Sequence, residues 1–204
     1  NIKQKICVMS DWSKNGIGFV VLQQKCSCIS DTPSCCINGW ALVLCGSRRL
    51  TSSEKNYAPI EGEALSLTWC LRKAKMLLHG CPRFVIITDH KPLLSIFSDK
   101  SLSSIENPRL FRMKEKSMSF SFDIQHMAGS KMLAADALSR YPASDPNAED
   151  EEFASDINTV TIKIAASVIV NTTIDEIKDV AAKDPQHQLL MKKVIENSFA
   201  KSQC

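Results

Sequence analysis

The sequence predicts an α/β protein with a five-stranded sheet, in the order βββαβααβα, followed by a C-terminal helical tail. Three observations carry that reading. Three apolar stretches follow one another in close succession within residues 5–47. A long stretch with helical periodicity follows, and the apolar run Phe84–Ile87 then opens an alternation of helices and strands. Strands in close succession pair as an antiparallel meander, whereas a strand reached through a helix can return parallel to one already placed.

The elements follow in order. KICVMSDW (5–12) is the first strand, and a short SKN turn leads to the second, GIGFVVLQQ (16–24); GWALVLCGS (39–47) is the third. In residues 60–80, Ile60, Ala64, Leu67, Cys70, Leu71 and Ala74 recur at helical spacing. Glu61 and Glu63 stand in the first turn, where the helix dipole favours them, and Gly80 is the stop, which gives about five turns. Residues 83–88 are the fourth strand, with a β-branched run that suits burial on both faces. The short helix HKPLLSIF, a Ser-rich loop (98–107), the basic helix PRLFRMKEKSM, a fifth strand SFSFDIQHM and a last helix MLAADALSR complete the domain.

The 204 residues, 44% hydrophobic, suffice for one sizeable core with an appendage. Residues 1–140 hold 19 Lys and Arg against 11 Asp and Glu, while the remainder is net acidic, so the first part is the one suited to a polyanion. No apolar run approaches the roughly 18 residues of a membrane span, so no membrane partner is expected. Nine cysteines, several inside apolar periodic stretches, suggest a reducing, intracellular setting. The chain opens without an initiator Met and reads as a segment of something longer. After Arg140 the acid- and Pro-rich residues 142–156 read as a solvated linker, and 157–204 as a mostly helical segment, which leaves 1–141 as the domain.

Four carboxylates fall at telling places: Asp11 on the first strand, Glu63 in the first turn of the long helix, Asp89 at the exit of the fourth strand and Asp136 near the start of the last helix. If strands one and four are parallel neighbours, Asp11 and Asp89 stand on chains about 4.8 Å apart. Gathered carboxylates repel one another, so such a cluster needs a compensating cation. Oxygen-only ligands suit Mg²⁺, with Mn²⁺ as a substitute.

SDWSKNGIGFVVLQQ, GSRRLTSSEKNYAPIEGEALSLTWCL, VIITDHKPLLSIF, NPRLFRMKEK and AGSKMLAADALSR, in that order, resemble the ribonuclease H domain of gypsy-like (Metaviridae) LTR retrotransposon polyproteins. The resemblance covers roughly residues 5–141. It implies an RNase H-like fold whose five-stranded mixed sheet starts with three antiparallel strands. It also implies that Asp11, Glu63, Asp89 and Asp136 hold two Mg²⁺ ions and cut the RNA strand of an RNA–DNA hybrid. Ser13, Asn15 and Gly16 would approach that strand. The implied partners are an upstream reverse transcriptase module and a downstream integrase, with residues 157–204 as the lead-in to the latter. The implied location is a cytoplasmic virus-like particle or the nucleus.

Further residues follow from their positions. His126, ten residues before Asp136, matches a loop histidine that assists product release or proton transfer in related retroviral domains; otherwise it simply ends the strand. His90 should point away from the site and be structural. Arg109, Arg112, Lys114 and Lys116 make a basic helix face available to phosphates, with Arg72, Lys73 and Lys75 a weaker candidate set. Trp12 should face away from Asp11. Cys26, Cys28, Cys35 and Cys36 lie in one loop, but CxC followed by CC is not a standard zinc spacing, so ordinary loop thiols are expected. Two other classes are consistent with the fold: a retired scaffold, which should have lost carboxylates, and an integrase core, which should carry its glutamate after both aspartates rather than between them.

Overall fold

The computed structural model of the chain describes residues 4–36, 38–98 and 100–159. The sheet has five strands, β1 (Ile6–Trp12), β2 (Gly16–Gln24), β3 (Trp40–Arg49), β4 (Phe84–Thr88) and β5 (Phe122–His126), in the spatial order β3-β2-β1-β4-β5. β2 pairs antiparallel with both β1 and β3, while β4 joins β1 and β5 joins β4 in parallel. This is the five-stranded mixed sheet expected from the sequence, with β1 at its centre.

Side-chain alternation along β1 sets the two faces. Val8 packs with Phe19, Val21, Phe84 and Ile86 beneath α1 (Pro59–Lys73) and α4 (Pro108–Ser117). Cys7 and Met9 pack with Val20, Val85 and Ile87 against Met132 and Ala135 at the start of α5 (Leu133–Arg140). Each large side chain so buried contributes about 1.5–3 kcal/mol. Trp12 shares the Val8 face and lies on α1, where a Cβ at residue 62 would come within 2.4 Å of its ring, so only Gly62 lets helix and strand approach this closely. Ser66 Oγ donates to the Asp11 carbonyl at 2.8 Å and ties the same helix to the strand.

The helix expected over 60–80 is two helices, α1 and α2 (Lys75–Leu78), with a step at Ala74, where φ −91° and ψ 10° leave the helical region. The step keeps Leu78 in the core while Met76 stays in solvent. Gly80, at φ +85°, supplies the expected stop. The short helix after β4 is α3 (Pro92–Phe97).

The largest departure concerns the acidic stretch. The expected solvated linker over 142–156 is packed on the domain, and residues 148–159 form a helix, α6. Phe153 and Ile157 enter the core beside α1, and Asp150 is buried. Asp150 accepts hydrogen bonds from Trp69 Nε1 at 2.9 Å and from Arg72 at 2.5 Å, with Arg48 and Lys73 each 3.6 Å away. Ahead of the helix, Ala143 N donates to Ser47 Oγ and Arg49 N to the Ser144 carbonyl, both at 2.9 Å. The compact unit therefore continues to the end of the described residues and does not stop at 141. An acid-rich stretch looks solvated when its partners are far away in sequence, and here Arg48, Arg72, Lys73 and Lys116 supply them. The expected integrase lead-in lies outside the described residues from 160 onward. Among the described residues no helix is long and apolar enough to cross a membrane.

Candidate active site

The last paired residues of β1 and β4 are Met9 and Ile87; two residues further on, Asp11 and Asp89 stand side by side at the ends of the parallel strands. Glu63 reaches the same point from the N-terminal part of α1. Carboxylate oxygens of Asp11, Glu63 and Asp89 all lie within 4.8 Å of one another. Asp11 and Glu63 are buried, and Glu63 Oε2 has no hydrogen-bond partner. Burial, reinforced by the charges of Asp11 and Asp89, pushes the Glu63 carboxyl up to about 9. Burial also raises Asp11, to about 6, with the charges of Asp89 and Asp136 adding to the effect and a hydrogen bond from Ser139 opposing it. The turn before α5 closes over the third carboxylate: a Cβ on Gly129 would be 2.7 Å from Asp89 Oδ2.

Ser139 escaped the sequence reading. Fully buried, it donates through Oγ to Asp11 Oδ2 at 2.5 Å, and the Asp136 carbonyl lies 2.9 Å from the same hydroxyl. The available signal was its place one helical turn after Asp136 on the face turned to the sheet. Asp136 itself lies outside the cluster of three and accepts from Arg140 Nε at 2.8 Å, its neighbour four residues on. The four residues singled out by the sequence are thus three convergent carboxylates and a fourth held at the rim.

Other sequence candidates are placed differently. His126 is not in a loop: it is the exposed last residue of β5, in register with Thr88. The His90 amide donates to Thr88 Oγ1. Ser13, Asn15 and Gly16 form the β1–β2 turn, but their polar groups bind the protein itself. Ser13 Oγ donates to the Ser139 carbonyl at 2.8 Å and Asn15 Nδ2 to the Arg140 carbonyl at 3.1 Å, while the amides of Asn15 and Gly16 both donate to Ser13 Oγ. A Cβ on Gly16 would meet the Arg48 carbonyl at 2.4 Å. The turn is thereby a clamp on the end of α5.

The basic face of α4 is also engaged internally. Arg109 pairs with Glu61 at 3.2 Å and stacks over Tyr57, Arg112 pairs with Glu115, and Lys116 pairs with Asp156. Lys114 is buried and donates to the Ile96 carbonyl at 2.7 Å. Arg109 and Lys116 thus reach acids of α1 and α6, Arg112 an acid of α4 itself, and Lys114 a carbonyl of α3. Arg72 and Lys73 are committed to Asp150 and Glu149 in the same way.

The donor set at the three carboxylates fits a hard divalent cation. It consists of oxygens only, and a buried carboxylate oxygen without a hydrogen-bond donor is an acceptor that a cation satisfies.

The chain matches, over residues 1–120, the family described as "RNase H-like domain found in reverse transcriptase". It is 29% identical over 173 residues, 85% of its length, to the retrovirus-related Pol polyprotein from transposon gypsy of Drosophila melanogaster, of which it spans 15%. It is 32% identical over 113 residues to the Pol polyprotein from transposon opus of the same species, covering 52% of this chain and 11% of that one. Among solved structures, an N-terminal RNase H domain from Mycobacterium tuberculosis aligns with 14% identity and a TM-score of 0.49, over 76% of this chain and 98% of that one. LC11-RNase H1 in complex with an RNA/DNA hybrid aligns with 15% identity and a TM-score of 0.48, over 66% and 93%. With its match extending over more than half its length, this chain belongs to the family of RNase H-like domains found in reverse transcriptases, as it occurs in Pol polyproteins of the gypsy kind.

Proposed function

We propose that the domain hydrolyses the RNA strand of RNA–DNA hybrids in a reaction that depends on Mg²⁺ or Mn²⁺. The observation that carries the reading is the convergence of Asp11, Glu63 and Asp89 within 4.8 Å, with Glu63 Oε2 buried and partnerless. Two divalent cations held there would activate water and stabilise the leaving 3′-oxygen of an in-line displacement. The protein's own part is positioning. β1 and β4 fix two carboxylates on strands paired along both edges, α1 brings in the third, and Ser139 sets the orientation of Asp11. Asp136, at the rim on Arg140, is the fourth ligand and the one whose loss is best tolerated.

Recognition of the hybrid would rest on its A-like shape and 2′-hydroxyls. With the α4 cations paired internally, the domain's own grip on phosphates is weak. The reverse transcriptase module of the polyprotein, by holding the same hybrid, would raise the local concentration of scissile phosphate. His126, exposed at the end of β5, is the candidate for proton exchange with solvent.

The test is cleavage of a hybrid labelled in its RNA strand by the full chain, with Mg²⁺, Mn²⁺ or Ca²⁺, beside the Asp89→Asn variant. Cleavage supported by Mg²⁺ and Mn²⁺ but not by Ca²⁺, and reduced to background in the folded variant, is expected. Cleavage that survives Asp89→Asn would refute the site. Hybrid binding without cleavage by the unmodified chain would favour the scaffold alternative.

A further inference from the structure

The β2–β3 loop gathers the four cysteines for which spacing alone suggests ordinary thiols. We propose that Cys26, Cys28, Cys35 and Cys36 form a closed tetrathiolate site for one structural Zn²⁺ ion, independent of the carboxylate site. The spacing counted against this because two adjacent cysteines must reach one ion. In the folded loop they do turn to the same point. The four sulfurs lie within 4.8 Å of one another, with Cys26 and Cys35 3.5 Å apart and Cys35 and Cys36 3.9 Å apart. A tetrahedral zinc with Zn–S bonds of about 2.3 Å places its sulfurs about 3.8 Å apart. A disulfide would need about 2.05 Å.

The surroundings are built around the sulfurs. A Cβ on Gly39 would lie 2.4 Å from Cys36 Sγ and 2.8 Å from Cys26 Sγ, so a glycine clears the space the thiols occupy. Trp40 Nε1 donates to Cys35 Sγ at 3.2 Å and Gln24 Nε2 to Cys26 Sγ at 3.4 Å, contacts of the kind that orient metal ligands. The amides of Lys25 and Cys26 both donate to the Gly39 carbonyl, at 2.7 and 3.2 Å, and close the neck of the loop. None of the described residues 25–38 is buried, and Ile29 is 93% exposed. A loop without a core of its own cannot recover its ordering entropy from apolar burial, and a metal or a disulfide is the usual staple in that situation. Four soft sulfur donors in a closed set select Zn²⁺ over the hard cations suited to the carboxylates. The β1–β2 register puts Gln23 opposite Ile6 and Gly18 opposite Asp11, so the loop is at the end of the sheet remote from the carboxylates and its ion is structural.

The experiment is elemental analysis of the full 204-residue chain, purified under reducing conditions without chelator, together with Co²⁺ substitution. One zinc per chain is expected, with thiolate-to-cobalt charge-transfer absorption and tetrahedral d–d bands on replacement. The Cys26→Ser/Cys35→Ser double variant should lose both, whereas Cys45→Ser, at an exposed cysteine on β3, and Asp89→Asn should lose neither. Amide exchange over residues 25–39 should accelerate in the double variant while β1 and β4 stay protected. If the double variant does not fold, the Co²⁺ titration of the unmodified chain decides alone. Substoichiometric zinc with no thiolate–cobalt absorption, iron in place of zinc, or a Cys26–Cys35 disulfide in freshly isolated protein would each overturn the proposal.

Discussion

Replacing Asp150 by Ala tests the docking of α6 directly. The carboxylate accepts from Trp69 Nε1 and Arg72, and its removal leaves the indole N–H without a partner in a buried position. Breaking a buried ion pair by deleting one member costs about 3–5 kcal/mol. Two features reduce that figure here. Arg48 keeps its two-pronged contact with Glu54, at 2.7 and 2.8 Å, and the side chain of Arg72 is 28% exposed, so water can take over part of its solvation. A loss of about 2–3 kcal/mol remains. If α6 opens ahead of the sheet, amide exchange over residues 148–159 should accelerate about 30- to 150-fold while β1 and β4 are unaffected. Asp150→Asn, which retains an oxygen for Trp69, should show a smaller effect. The acid limb provides a second reading. Burial alone would raise the Asp150 carboxyl, but hydrogen bonds from Trp69 and Asn147 and the charges of Arg48 and Lys73 outweigh it and hold the group below its ordinary value. Its contribution is therefore complete above the unfolded value of about 3.9 and is lost as pH falls through the lower folded value. That phase should vanish in both variants. Unchanged exchange over 148–159 in Asp150→Ala would refute the docking.

Ser139→Ala should leave the fold intact but lower metal affinity or hybrid cleavage about 10- to 100-fold, measured by Mg²⁺ titration of activity, because Asp11 loses the donor that orients it. Ending the chain after residue 141 should destabilise the domain by up to about 3–6 kcal/mol in urea unfolding, since Phe153 and Ile157 leave the core. Gly62→Ala should cost about 1–3 kcal/mol in thermal unfolding, because the added methyl meets the Trp12 ring and helix and strand must separate.

What could be read in advance was local. The strand and helix order follows from periodicity, and Asp11, Glu63 and Asp89 stand out because charged residues at the ends of apolar runs need a reason. Partnership between distant residues was hidden. Asp150 looked solvated because Arg48 and Trp69 lie 102 and 81 positions away, and the α4 cations looked free because Glu61 and Asp156 are distant in the chain. Ser139 was overlooked for the same reason: its acceptor is 128 residues away. The cysteines raise the same difficulty, since spacing along the chain says little about a loop whose folding brings the adjacent thiols of Cys35 and Cys36 within 3.9 Å.

The alternation at the end of β1 also bears on folding fidelity. Asp11 points to Ser139 and the other carboxylates, and Trp12 points to α1 above Gly62. A one-residue slip of this strand would exchange the two, since every side chain changes face. The carboxylate would then be driven under α1, away from Ser139, and the indole would be thrust towards Glu63 and Asp89. Misregistered chains would thus forfeit core packing and site chemistry in the same error, so a trapped population with partial activity is not expected during refolding: recovered activity should rise in step with recovered burial of Trp12.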